Sequence, residues 1–130
     1  MGGNGTFSKG HVLTEEQRKW RTIDTIPAGD GFPEIAVLEM KSRKHVKTPP
    51  ESSTENRAYA VFKTDGSDVR ELSLYDADHK KTLSIHTEKH NDLKEHYHEW
   101  KDGSPVGEAK PLTAELQRLL DHARKYKKKR

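Results

Sequence analysis

The sequence predicts a small α+β domain: a short N-terminal helix, an antiparallel sheet of about four strands, and a C-terminal helix packed on it. Three observations carry that expectation. Hydrophobic residues make up 30% of the 130-residue chain and charged residues 35%, which leaves material for one modest core. Apolar and polar residues alternate between positions 69 and 86, the two-residue period of half-buried strands. Near the C-terminus the apolar residues recur at a helical period instead.

The first thirteen residues hold four glycines and are expected to be disordered, which makes 14–126 the single folded domain and 127–130 a basic tail. Thr14-Glu15-Glu16-Gln17 reads as a capping box, in which Thr14 and Gln17 cap each other's backbone N–H at the start of a short helix through Trp20. Glycine and proline punctuate Pro27 to Pro33. Ile35 to Met40 then reads as a strand whose apolar run points to burial on both faces, with a buried helical turn as the alternative. A basic stretch, Lys41 to Lys47, leads into the proline- and serine-rich loop TPPESSTENR.

A meander follows. Tyr59 to Lys63 is a strand, Thr64 to Ser67 a turn, and Val69 to Tyr75 a second strand with Leu72 and Leu74 on one face. Asp76-Ala77-Asp78 turns the chain back into Thr82 to His86, with Leu83 and Ile85 inward and Thr82, Ser84 and His86 on the outer face. Thr113 caps the last helix, whose stripe is Leu116, Leu119, Leu120, Ala123 and Tyr126.

The net charge of +3 is unevenly spread. Residues 66–109 carry six Lys/Arg against ten Asp/Glu, a balance of −4, whereas residues 110–130 carry eight against two, a balance of +6. The absence of cysteine excludes disulfides and thiolate zinc sites, so any zinc needs histidine or carboxylate ligands. No apolar run approaches the roughly 18 residues of a membrane helix, and a soluble cytoplasmic protein with no membrane partner is expected.

The stretch HTEKHNDLKEHYHEW, His86 to Trp100, holds four of the eight histidines. His86 and His90 lie four apart, which aligns them if the segment is helical; His96 and His98 lie two apart and face the same way if theirs is extended. Either arrangement converges imidazoles, and tetrahedral zinc accepts neutral imidazole or carboxylate. His86, His90, His96 and His98 are therefore the expected ligands of a structural zinc ion that orders an acidic loop. Thr87 stands where the zinc-protease motif needs its glutamate, so no metalloprotease is expected.

A metal-free alternative stays open. Two histidines near neutral pKa can take the proton of an RNA 2′-hydroxyl and return one to the leaving oxygen, with a nearby lysine or arginine supporting the phosphate. Against it, the surrounding block is acidic and repels a polyanion, which makes nucleic acid the less favoured partner.

The block YDADHKKTLSIHTEKHNDLKEHYHEW, Tyr75 to Trp100, resembles an arrangement found in small proteins of streptococcal and related phages and mobile elements. There a "YD" hairpin leads into a strand, a histidine pair, a close His-x-His and an aromatic residue. A similar arrangement occurs in ribonuclease-type tip domains of bacterial polymorphic toxins. The first resemblance implies an accessory protein, of the anti-CRISPR kind, that acts in the host-cell cytoplasm by binding a defence protein such as a CRISPR effector nuclease. Asp76, Asp78, Glu88, Asp92, Glu95 and Glu99 are then expected to mimic phosphates in a basic channel. The second implies catalysis by His86, His90, His96 or His98.

Overall fold

The computed structural model describes residues 20–29, 31–40, 47–49, 57–63, 66–88 and 94–126. They build one seven-stranded sheet and a single helix. The strands are β1 (Trp20–Ile26), β2 (Ile35–Met40), β3 (Ala58–Phe62), β4 (Val69–Tyr75), β5 (Lys81–His86), β6 (His96–Lys101) and β7 (Ser104–Pro111), and the helix is α1 (Ala114–Lys125). Strands lie in the sheet in chain order. Every neighbouring pair is antiparallel except β2 and β3, which are parallel.

This corrects the expected four-stranded antiparallel sheet with an N-terminal helix. Trp20, expected to end that helix, opens β1. Residues 14–19, with Thr14 and Gln17 of the expected cap, lie outside the described residues, as do 1–13 and 127–130. A bulge hides β1 from a period-two reading: Thr22 pairs with Leu38 and Asp24 with Val37, leaving Ile23 as the extra residue. Trp20 and Ile26 consequently face opposite sides of the sheet.

The second hidden pair is β6 and β7. Asp102 and Gly103 both adopt positive φ, 53° and 84°, the backbone of a tight two-residue hairpin turn. β7 contains two prolines and a glycine, which a central strand does not tolerate; as an edge strand it needs to offer only one ladder of backbone groups. The parallel β2–β3 pair requires a crossover, and residues 47–49 of that connection lie across one face of the sheet.

α1 covers the other face. Leu119, Leu120 and Ala123 join Ile35, Val37, Ala60, Leu72 and Ile85 in the main core. The expected stripe and cap are both present, with Thr113 Oγ1 accepting from the Leu116 N–H at 3.2 Å. Among the described residues no helix is long and apolar enough to cross a membrane.

Candidate functional site

The face opposite α1 changes character from one end of the sheet to the other. Over β1–β3 it carries a second apolar cluster, including Trp20, Leu38, Tyr59 and Val61. Over β4–β6 it turns polar. Register puts Glu71, Ser73 and Tyr75 of β4 opposite His86, Ser84 and Lys81 of β5, and His86 and Ser84 opposite His96 and His98 of β6. Period two therefore collects these side chains on one face.

A bulge selects one of them. Leu74 pairs with Leu83 but Tyr75 pairs with Lys81, so Thr82 becomes the extra residue and Lys81 takes the place that regular pairing would give it. The lysine consequently reaches the Glu71 carboxylate at 3.3 Å, with the two side chains 5% and 4% exposed. Glu71 also accepts from the Thr48 N–H at 3.0 Å, the Thr48 hydroxyl at 2.7 Å and the Ser73 hydroxyl at 3.0 Å. Burial alone raises the Glu71 carboxyl; Lys81, His86 and the Thr48 hydrogen bonds outweigh it and hold the group below the usual range. Burial lowers the Lys81 ammonium despite its carboxylate partner.

Residues 47–49 of the connection between β2 and β3 are latched over this network. Trp20 Nε1 donates to the Lys47 carbonyl at 2.8 Å, Thr48 holds Glu71, and the Tyr75 hydroxyl donates to the Pro49 carbonyl. The face expected to look outward is thus partly roofed, and Ser73, Ser84 and Thr48 are buried.

At the far end three imidazoles meet. The centroids of His86 and His96 are 5.3 Å apart, those of His86 and His98 5.2 Å, and those of His96 and His98 5.3 Å. His96 is buried and the other two are half-buried. Burial first, and the neighbouring His98, His96 and Lys81 after it, bring the His86 pKa down to about 4 although Glu71 pulls the other way; His86 is neutral at pH 7. The Nδ1 atoms of His96 and His98 are buried and make no hydrogen bond within the described residues, while both rings contact His86 and each other.

The triangle has the dimensions of a three-histidine metal centre. With Zn–N bonds of about 2.0–2.1 Å and angles of about 109°, two ligating imidazoles place their centroids about 5.2 Å apart. The ring planes do not yet converge: His86 and His96 are parallel to within 10°, whereas stacked rings aim their in-plane lone pairs side by side. No group of three or more His, Asp or Glu among the described residues is already set to hold an ion. Convergence requires one ring to turn about χ2, a broad and soft torsion for histidine.

Comparison with protein-family models, with curated proteins and with solved structures finds no match.

Of the residues expected from sequence, His86, His96 and His98 come together. His90 and Asp92 lie outside the described residues. Asp76 accepts from the backbone of Asp78 and Lys80 in the β4–β5 turn, at the opposite end of β5 from His86. Glu88 pairs with Arg70 at 3.0 Å, Glu95 with Arg124 at 2.6 Å, and Glu99 with Lys110 at 3.0 Å. The residues that sequence reasoning missed are Glu71, Ser73, Lys81 and Thr48. Glu71 and Ser73 were legible as the polar members of the strand alternation; Lys81 was not, because only the bulge turns it inward.

Proposed function

We propose that this chain is a zinc-binding protein whose ion is held by His86, His96 and His98. The carrying observation is the near-equilateral ring triangle, with sides of 5.2–5.3 Å on one sheet face. Two further features support it. His86 is neutral, the state in which imidazole ligates, and β6 presents His96 and His98 on the same side while β5 supplies His86 directly opposite His96. His90, expected from its spacing to be a fourth ligand, lies outside the described residues.

The test is the metal content of the untagged protein by elemental mass spectrometry, beside the His96→Ala/His98→Ala double variant. Near-stoichiometric zinc that disappears in the double variant is the expected result. A folded wild-type protein without zinc overturns the proposal.

The partner side of the proposal is an accessory protein that binds a nucleic-acid-targeting defence nuclease. Its support is the resemblance of the Tyr75–Trp100 block and the −4 balance of residues 66–109, from six Lys/Arg against ten Asp/Glu. A basic channel would have to compete with Arg70, Arg124 and Lys110 for Glu88, Glu95 and Glu99. Co-purification of the zinc-loaded protein with a CRISPR effector, lost when Glu88 and Glu99 are both changed to Gln, is the corresponding measurement. Retention of the complex by that variant removes the phosphate-mimic role.

One observation favours a metal-free second reading, acid/base cleavage of RNA. Three imidazoles with centroids 5.2–5.3 Å apart stand close enough for two of them to serve one substrate as base and acid. RNA cleavage that persists in EDTA and disappears in His86→Ala or His98→Ala would replace zinc binding as the conclusion.

A further inference from the structure

The two ring nitrogens of a ligating histidine play different roles, since one binds the ion and the other is oriented by a hydrogen-bond partner. For His86 the structure already commits one of them. Nε2 lies 2.8 Å from the Ser84 hydroxyl, and the same hydroxyl accepts from the Trp100 indole N–H at 2.8 Å. Ser84 is buried, so its oxygen is held between these two side chains. Trp100 is itself fixed from above, with the Lys81 ammonium 4.5 Å from its ring centroid and paired with Glu71.

We infer that Ser84 is a positioning residue for the metal centre: it holds His86 by Nε2, so that a zinc ion is taken on Nδ1. The inference rests on the zinc proposal and adds to it the identity of the ligating atom. An indole N–H can only donate, so Ser84 Oγ accepts from Trp100 and meets His86 Nε2 with either its own proton or its second lone pair. If Ser84 gives its proton, His86 carries its hydrogen on Nδ1; if Ser84 accepts, that hydrogen is already on Nε2. Zinc binding requires a bare Nδ1. The ring then places its hydrogen on Nε2 and donates it to Ser84 Oγ, which accepts from both neighbours while its own hydrogen turns aside. The ring keeps its one hydrogen throughout: it lies on Nε2 when the ion is on Nδ1, and no proton is released.

The test uses the full chain with 15N-labelled histidine, titrated with zinc alone, and the Ser84→Ala variant beside it. With zinc bound, the His86 ring is expected to carry its hydrogen on Nε2 and the ion on Nδ1, read from two-bond 15N–1H correlations. Ser84→Ala is expected to weaken zinc affinity roughly 10–100-fold, the usual loss when the partner of a ligating histidine is removed. Trp100→Phe removes only the upper donor of the chain and is expected to shift affinity in the same direction, which keeps the test intact should Ser84→Ala fail to fold. Zinc on Nε2 of His86, or wild-type affinity in a folded Ser84→Ala protein, overturns the role of Ser84 while leaving the site standing. A wild-type protein that binds no zinc overturns the site itself.

Discussion

Glu71 and Lys81 meet at 3.3 Å in an ion pair whose side chains are only 4% and 5% exposed. Their register partners, His86 and Tyr75, make this pair the floor of the polar face. Removing one member of a buried pair strands the other charge, at a cost of about 3–5 kcal/mol. Glu71→Ala is therefore expected to lower unfolding free energy by that amount in urea titrations. A loss below about 1 kcal/mol, the range of exposed pairs, would show that the pair is solvated.

Asp68 joins the sheet to the helix through Arg124, with contacts of 2.8 and 3.0 Å. The Arg124 hydrogen bond outweighs burial and lowers the Asp68 carboxyl from its ordinary 3.8. The folded protein thus binds fewer protons at this site than the unfolded chain. Its contribution to stability is complete above the ordinary value and is lost as pH falls from there through the lowered folded pKa. Between about pH 5 and pH 3, the urea midpoint should fall more steeply for wild type than for Asp68→Asn. Parallel slopes would remove the linkage.

Gly103 sits at φ 84° in the β6–β7 turn, with open space where a Cβ would go. Strain rather than a clash decides the outcome of substitution. Gly103→Ala is expected to cost about 1–2 kcal/mol, measured by thermal or urea unfolding. An unchanged midpoint would mean that the hairpin turns by another route.

Zinc at about a hundred times its dissociation constant should stabilise the native state by about 2.7 kcal/mol, since the unfolded chain lacks the assembled triangle. A protein of this size should show that as a rise in Tm on the order of 10 °C. EDTA should reverse the shift, and His86→Ala, His96→Ala and His98→Ala should each abolish it. A shift that survives in all three would place the ion elsewhere.

The main core and the helix were legible because their signals are local. Leu72 and Leu74 alternate with Glu71 and Ser73, and Leu116, Leu119, Leu120 and Ala123 follow a helical stripe behind a threonine cap. The Asp102-Gly103 pair was an equally local hairpin signal and stood unread, because β7 beyond it is exposed along nearly its whole length and carries no apolar pattern. β1 was missed for a different reason: its bulge puts Trp20 and Ile26 on opposite faces of the sheet, so no two-residue period runs through the strand.

By itself, the sequence determined which residues stand as candidates here: imidazoles in a chain without thiols, clustered between His86 and His98. It also determined that His96 and His98 share a face if extended, since that follows from the two-residue period of a strand. Only the tertiary structure decided that β6 is a strand, that β5 sets His86 directly against His96, and that Ser84 and Trp100 lie behind the ring. It alone brought Lys81 inward to Glu71. The physical reason is that a strand's partner and a bulge's position depend on pairing between segments far apart in sequence, where loop closure and packing, not local propensity, set the free energy.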